Sequence, residues 1–459
     1  MSCGRVDRGI DLAAPLLRDA PPDRSRRGRR AFPHFGLVLM SKSRVGLWLI
    51  GAYGGVGATI TLGLRAMARG LIDETGLVSA LPLFEGLSLP EPGDIVVGGH
   101  EIRSTSFEAA AQEFRQNSGV FESGWLDACR PDLAAATARV QPGTLLGAGP
   151  TIQKLGSWVG DDDETNPRHI IDRLGADLDE FARENAIRHL IVLNVASTEP
   201  PFPANSAHDS WTALDRALRA GKGSILPTSS LYAAAALERG HTYLNFTPSL
   251  GASIPALAEL AESTGALHGG KDGKTGETLM KTVLAPMFAQ RNLRVLSWVG
   301  HNIFGNRDGL VLDDPANKSS KVETKDKVVT GVLGYKPASV VSIEYVPDMG
   351  DWKTAWDHIH FRGFLGTKMT LQFIWQGCDS LLAAPLAIDL ARLADLEKQR
   401  GGRGLMRHLA SFFKSPEGVA EHDYFKQFQM LVDHVESGRP RDAAAAAGKP
   451  PRPSLDPRD

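Results

Sequence analysis

The chain has 459 residues, which is long enough for two domains that each bury a core. Hydrophobic residues make up 42% and charged residues 23%, and the net charge of -2 gives no basic field to recruit nucleic acid or an anionic membrane. No apolar run reaches the length of a membrane span. The isolated cysteines Cys3, Cys129 and Cys378 are typical of the reducing cytoplasm and argue against a structural zinc.

Both ends of the chain have biased compositions. Residues 1–43 are rich in Arg, Asp and Pro, and their apolar GLVLM segment, which ends at Met40, is too short for a signal peptide. We predict a disordered leader here, or alternatively a true translation start at Met40. Residues 437–459, which include DAAAAAGKPPRP, are predicted to form a disordered tail.

The first half of the chain alternates apolar strands with helices, which predicts a mostly parallel α/β sheet. A buried strand at 45–50 is followed by a glycine loop at 51–57 and a helix at 58–69, the order that a dinucleotide site requires. The further predicted strands are 94–97, 188–195 and 224–227, and the further predicted helices are 177–186 and 229–238.

The pattern changes in the second half. Longer strands rich in β-branched residues are predicted at 294–299 and 339–346. Helices are predicted at 278–288, 351–360 and 380–396. We therefore predict a first domain over 44–277 and 380–436, and an inserted α+β domain over 278–379.

The glycine loop GAYGGVGAT is a candidate cofactor site. It matches GxGxxG only loosely, because Tyr53 takes a glycine position if Gly51 leads; Gly51, Gly54 and Gly57 form a wider-spaced alternative. Glycines let the backbone approach a pyrophosphate, whose charge the free N–H groups of a helix N-terminus stabilise. The competing interpretation is a tight turn without a ligand, but the position after the first strong strand favours the cofactor.

The segment HGGKDGKTGET is a candidate phosphate site. The P-loop spacing fails, because it would need glycine at His268. Lys274, Thr275 and Gly276 would still lie at a helix start, which suits a phosphate monoester. A capped surface loop with solvated lysines explains the segment equally well.

Lysines recur near the carboxylates in this half of the chain. A single lysine is usually a surface residue, but a pocket with cationic neighbours lowers a lysine pKa and lets the group exchange protons. The histidines lack metal-ligand spacing, so no metal is predicted.

Several segments together resemble the myo-inositol-1-phosphate synthase family, from Gly51 to about Lys414. They are GGKDGKTGET, GHNIFGNRDG, SSKVETK, VPDMGDWKTAWD and CDSLLAAPLAIDL, in the family's order and spacing. The resemblance implies an NAD-dependent isomerase that converts D-glucose 6-phosphate to 1D-myo-inositol 3-phosphate. Such an enzyme oxidises C5, forms an enolate, closes the ring by an aldol step and reduces the product again. The resemblance also implies a Rossmann-like NAD-binding domain with an inserted α+β catalytic and oligomerisation domain, and a homotetramer.

The resemblance assigns roles residue by residue. Lys321 would act on the C5 oxygen with help from Lys353, and Lys414 would lie near the C1 carbonyl. The implied catalytic set is Lys321, Lys325, Lys353, Lys414, Asp272 and Asp379. The implied substrate- and phosphate-binding set is Lys274, Thr275, Gly276, Asn302 and Asn306. The implied NAD-binding set is Gly51, Gly54, Gly55, Gly57, Glu101, Ala196, Ser197, Thr198, Ser230, Asn245, Asp308 and Asp351.

The chain also departs from the family pattern. In GGHE, Glu101 replaces an aspartate and His100 a tryptophan, whereas Thr275 replaces a serine and keeps the hydroxyl. The alternatives are therefore a dehydrogenase or a cyclase acting on a different sugar phosphate. A binding protein without activity is disfavoured, because binding alone does not need this many proton-exchanging pairs.

Overall fold

The computed structural model describes residues 44–160, 165–221, 225–314 and 329–439. Its strands form one seven-stranded sheet and one four-stranded sheet. The strands are β1 (Arg44–Ile50), β2 (Ile95–Glu101), β3 (Val140–Pro142), β4 (Ile187–Asn194), β5 (Thr242–Asn245), β6 (Leu267–Gly270), β7 (Arg294–Phe304), β8 (Ala338–Tyr345), β9 (Trp352–Arg362), β10 (Lys368–Cys378) and β11 (Gly404–Leu405).

The helices that connect these strands are α1 (Gly55–Ala68), α2 (Phe107–Ser118), α3 (Ser123–Thr137), α4 (Pro150–Gln153), α5 (Pro167–Glu184), α6 (Trp211–Arg219), α7 (Thr228–Glu238), α8 (Pro255–Thr264), α9 (Gly276–Gln290), α10 (Arg307–Leu312), α11 (Asp379–Gln399) and α12 (Tyr424–Ser437). Among the described helices, none combines the length and the apolar character needed to cross a membrane.

The first sheet is parallel throughout and has the strand order β11-β6-β5-β4-β1-β2-β3. β1 is buried from Val45 to Ile50 because helices cover both faces of a parallel sheet. Alternate β1 side chains enter different cores: Leu47 and Leu49 join one hydrophobic cluster, and Trp48 and Ile50 join the other. The predicted α/β, Rossmann-like fold class is confirmed.

The second sheet has the order β10-β9-β7-β8, with β7 parallel to β8 and antiparallel to β9. Its core includes Phe288 of α9, Trp298 and Ile359. After β10 the chain returns to the first sheet, since α11 packs on α1 and β4, and β11 pairs with β6.

Two predicted elements are wrong. The predicted helix 351–360 is strand β9, which pairs along its length with both β7 and β10, so tertiary pairing overrides the local pattern. The predicted strand 224–227 is also wrong over its described part. Ile225 and Leu226 are buried bends that lead into α7, and Pro227, the N-cap of that helix, cannot donate a backbone hydrogen bond to a sheet ladder. Residue 224 lies outside the described residues.

Candidate functional site

A cavity of about 320 Å³ lies at the carboxyl ends of β1 and β4. Strand order reverses between these strands, because β1 leads outward to β2 and β4 leads the other way to β5. Ligands of open α/β sheets bind in the crevice at such a reversal. The predicted site residues that line the cavity are Gly51, Gly54, Gly55, Glu101, Ala196, Ser197, Thr198, Asp272, Thr275, Asn306, Asp308, Asp351, Lys353, Asp379 and Lys414.

The glycine loop has the shape of a dinucleotide cradle. Gly51 has φ +82°, and a Cβ there would lie 2.8 Å from Cα of Ala196, so the ends of β1 and β4 approach too closely for a side chain. A Cβ on Gly57 would lie 2.3 Å from the carbonyl oxygen of Ala52. Helix α1 begins at Gly55 beside the cavity, which leaves its first N–H groups available to an anion. The residues present therefore fit the pyrophosphate of NAD.

Glu101 ends β2 next to the glycine loop. Its Oε2 accepts from the backbone N–H of Tyr53 at 2.7 Å, and its Oε1 accepts from the N–H of Ile102 at 2.8 Å. The side chain is buried but lines the cavity. An acidic residue at this point of a dinucleotide fold is suited to hydrogen-bond a ribose hydroxyl.

Asp351 joins the second sheet to the cofactor side of the cavity. Its carboxylate accepts from the backbone N–H of Ser380 at 2.6 Å, from the Ser380 hydroxyl at 3.0 Å and from Nδ2 of Asn306 at 2.8 Å. Burial and the nearby Asp379 raise the pKa of Asp351. A Cβ on Gly55 would lie 2.6 Å from the Ser380 hydroxyl, so Asp351 fixes a group that touches the glycine loop.

Two lysine–aspartate pairs stand at the other side of the cavity. Nζ of Lys414 donates to Oδ1 of Asp272 at 2.8 Å, and both side chains are buried. Nζ of Lys353 lies 3.6 Å from Oδ2 of Asp379. Each ammonium thus has an adjacent carboxylate with which a proton can be exchanged.

Some predicted site residues are not part of the cavity lining. Lys321 and Lys325 lie outside the described residues. Those that are not among the lining residues are Gly57, Ser230, Asn245, Asn302, Lys274 and Gly276. The Asn245 side chain, for example, donates to the carbonyl of Ser249 and accepts from the backbone N–H of Thr247.

Lys274 is directed away from the cavity. Its ammonium donates to Oε1 of the buried Gln427 and stands 5.8 Å from the ring centroid of Tyr424, both on α12. Burial and the neighbouring Lys414 lower the pKa of Lys274 to about 7. The backbone of the segment nevertheless reaches the cavity, through Gly273 and Thr275.

Three further residues that were not predicted as site residues, Glu199, Ser380 and Arg103, also line the cavity. Glu199 accepts from the backbone N–H of Ser229 at 2.7 Å and is paired with the Ser229 hydroxyl at 2.5 Å. Burial raises the pKa of Glu199 to about 7. Glu199 and Ser380 directly follow predicted site residues in sequence, and this adjacency was the signal that could have identified them. Gln427, the partner of Lys274, has no motif around it.

A histidine–carboxylate cluster lies outside the cavity lining. Among the described residues, ligand atoms of Glu397, His408 and His434 come within 4.8 Å of one another. The two imidazole rings stack in parallel with centroids 3.7 Å apart, and His434 Nε2 lies 2.7 Å from the Glu397 carboxylate. Imidazole lone pairs lie in the ring plane, so parallel rings do not converge on one ion. We interpret the cluster as a packing contact among α11, α12 and the helical turn Arg407–Phe412, which carries His408.

Comparison with known proteins gives one consistent result. The family model described as Myo-inositol-1-phosphate synthase, an NAD-binding model, matches residues 45–435. The chain is 32% identical to inositol-3-phosphate synthase 1 of Bacteroides thetaiotaomicron over 421 residues, which is 84% of this chain and 94% of that relative. It is 31% identical over 386 residues to inositol-3-phosphate synthase isozyme 2 of Arabidopsis thaliana, with 77% of this chain and 74% of the relative covered.

Solved structures have the same fold. The crystal structure of inositol-3-phosphate synthase from Caenorhabditis elegans is similar with a TM-score of 0.77 at 24% identity, covering 86% of this chain and 85% of that one. A myo-inositol-1-phosphate synthase-related protein from Thermotoga maritima is similar with a TM-score of 0.69 at 25% identity, covering 86% and 98%. The chain therefore belongs to the myo-inositol-1-phosphate synthase family, whose members bind NAD.

Proposed function

We propose that this protein is an inositol-3-phosphate synthase that converts D-glucose 6-phosphate to 1D-myo-inositol 3-phosphate with NAD as a recycled cofactor. The observation that supports this most strongly is the continuity of the cavity, which runs from the glycine loop to both lysine–aspartate pairs. A redox step and proton transfers on one sugar phosphate need these two kinds of group in one space. The relatives named inositol-3-phosphate synthase support the same reaction.

On the cofactor side, Gly54 and Gly55 would hold the pyrophosphate and Glu101 a ribose hydroxyl. The loop residues Ala196, Ser197 and Thr198 would contact the nicotinamide half, where Thr198 is hydrogen-bonded to Asp308 at 3.2 Å. When bound, NAD supplies an acceptor for the two electrons removed from C5 and returns them to the ring ketone. Ser230 and Asn245 would support this half of the site from behind.

On the substrate side, the lysines would stabilise oxyanions and move protons. Lys353, paired with Asp379, would assist Lys321 in removing the proton from the C5 hydroxyl. Lys414, paired with Asp272, would protonate the C1 oxygen as the aldol bond forms. Each carboxylate would hold its ammonium in position and stabilise its charge.

The phosphate would be held by the segment that begins α9. Thr275 lines the cavity and is the N-cap residue of that helix, where backbone N–H groups attract an anion. Lys274 would bind only after leaving Gln427, and Lys325 would contribute a second cation. Asn302 and Asn306 would orient the substrate, Asn306 through its bond to Asp351.

We propose a division into a dinucleotide domain over 44–277 and 380–436 and an α+β domain over 278–379. The α+β domain would also build a homotetramer. The second sheet exposes large apolar side chains, including Ile374 at 68% and Trp356 at 41% of their surfaces, which are directly opposite each other on β10 and β9. Neighbouring exposed apolar side chains are typical of a protein interface. The cytoplasm remains the proposed compartment on the basis of the unpaired cysteines.

The test is incubation of the purified full chain with NAD+ and ¹³C-labelled glucose 6-phosphate, followed by NMR. We expect inositol phosphate to appear without accumulation of NADH. Accumulated NADH with an open-chain ketone product would instead establish a dehydrogenase. Inertness toward glucose 6-phosphate together with turnover of another sugar phosphate would establish the alternative substrate.

A further inference from the structure

Glu101 and Arg103 both form hydrogen bonds with the backbone of Tyr53 in the glycine loop. The Glu101 carboxylate accepts from the N–H of Tyr53 at 2.7 Å, and Nη2 of Arg103 donates to the carbonyl oxygen of Tyr53 at 2.6 Å. The same Nη2 lies 3.5 Å from Oε2 of Glu101. The carboxylate and the guanidinium therefore form one charged pair beside the ribose end of the proposed cofactor site.

Both side chains face the space that a dinucleotide would fill. Glu101 and Arg103 line the cavity together with Gly54 and Gly55, and the Arg103 side chain keeps 15% of its surface exposed. The two contacts described for Arg103 use a single nitrogen, whereas a guanidinium carries five N–H donors. Arg103 therefore has donors left for an oxyanion that enters from the cavity.

The two groups favour different forms of the dinucleotide, the carboxylate NAD and the guanidinium NADP. A carboxylate accepts hydrogen bonds from the ribose hydroxyls of NAD and repels the 2′-phosphate of NADP by like charge. A guanidinium has the reverse preference, since it binds phosphate oxygens in a bidentate manner. In this chain both groups stand at one point of the site, 3.5 Å from each other.

We propose that Glu101 and Arg103 form the coenzyme selector of this protein. Glu101 admits NAD, excludes the 2′-phosphate and holds Arg103 against the loop. Once the Glu101 charge is removed, Arg103 binds the 2′-phosphate and the preference shifts toward NADP. This inference rests on the dinucleotide site proposed above and adds a residue, Arg103, and a specificity to it.

The test measures binding rather than turnover. Isothermal titration calorimetry of the full chain with NAD+ and with NADP+ is compared for the wild type, Glu101→Gln, Arg103→Met and the double variant. We expect the wild type to prefer NAD+ by at least about tenfold, the worth of one charge-assisted hydrogen bond. Glu101→Gln should weaken NAD+ and tighten NADP+ by about tenfold each, and the double variant should lose the NADP+ gain.

The control variant is Glu108→Gln, which removes a carboxylate from the exposed face of α2 without touching the cavity lining. It should leave both affinities unchanged. If Glu101→Gln does not fold, Arg103→Met in the wild-type background still decides: because Glu101 holds Arg103 against the loop, the affinities for NAD+ and NADP+ should each change by less than about threefold, and a larger loss of NADP+ affinity would contradict the inference.

Three results would overturn the inference. They are an unchanged NAD+/NADP+ ratio in Glu101→Gln, an NADP+ gain that persists in the double variant, and wild-type binding that does not discriminate between the two dinucleotides. Loss of cyclase activity with normal NAD+ binding would contradict the proposed function alone and leave the selector intact.

Discussion

Lys414 and Asp272 are 142 positions apart in the chain and form a buried ion pair of 2.8 Å at the edge of the cavity. The pairing is reinforced by the backbone, because the N–H of Lys414 also donates to the carbonyl of Asp272. These two bonds fix Lys414 against the loop after β6, which contains Asp272, Gly273 and Thr275. The ammonium that we propose to act at C1 is positioned by the segment that we propose to bind the phosphate.

This pair gives the first prediction. Lys414→Met and Asp272→Asn should each lower kcat by about 100- to 1000-fold, because proton transfer and oxyanion stabilisation are lost. The double variant should be little worse than either single variant, since the two groups act as a unit. Lys426→Met, at an exposed lysine on α12, is the control. Multiplicative losses in the double variant, measured by steady-state kinetics, would contradict a joint role.

The glycine loop gives a prediction with a control on the same helix. Gly57→Ala places a Cβ 2.3 Å from the Ala52 carbonyl, so the loop must shift, and we expect a loss of stability of about 1–3 kcal/mol with loss of NAD+ binding. Gly63→Ala meets no atom within 4 Å and should stabilise α1 by about 0.5–1 kcal/mol. Calorimetry measures both effects. Unchanged NAD+ affinity in Gly57→Ala would show that the loop is not the cradle.

Glu199 gives a prediction about stability and pH. Burial raises its folded pKa to about 7 from an ordinary value of 4.5, so the folded state binds the proton more tightly. This contribution to stability is complete below pH 4.5 and is lost as the pH rises through 7. Glu199→Gln lacks it, so the stability of the wild type relative to the variant should fall by at most about 1.4 kcal/mol per pH unit between pH 5 and 7. If urea unfolding gave the same dependence of stability on pH for the wild type and Glu199→Gln, the raised pKa of Glu199 would be refuted.

For Lys274 we expect the opposite dependence of stability on pH. Its folded pKa of about 7 lies below the ordinary 10.5, so the unfolded chain binds the proton more tightly and stability rises with pH between these values. Relative to Lys274→Met, the wild type should gain at most about 1.4 kcal/mol per pH unit from pH 7 to 9. Urea unfolding at a series of pH values tests this, and a difference independent of pH would mean that the lysine is not buried in solution.

The sequence predicted those parts of the site that are set by local patterns. The strand before Gly51 and the glycine loop were predicted correctly because consecutive residues form an apolar run followed by a glycine-rich turn. Asp272, Asp379 and the two lysines that the structure pairs with them were found through the family motifs, which carry information that local pattern lacks. The position of Lys414 beside Asp272 could not be read from spacing, because it depends on how β6 and the late loop meet.

The parts that were not predicted depend on tertiary contacts. The local sequence pattern of β9 predicts a helix, but the segment is a strand because it pairs with β7 and β10 on either side. Lys274 was predicted to face the phosphate, but the buried amide of Gln427, far along the chain, turns its ammonium away from the cavity lining. The strands that flank β9 and the Gln427 partner of Lys274 are distant in sequence, so the residues around β9 and Lys274 do not reveal them.

The most direct test of the central claim uses glucose 6-phosphate that carries deuterium at C5. If the electrons removed from C5 are returned by the same bound cofactor, the deuterium should be retained at the corresponding carbon of the inositol phosphate, as NMR would show. Loss of the label to solvent, or its recovery in free reduced cofactor, would contradict an internally balanced oxidation and reduction.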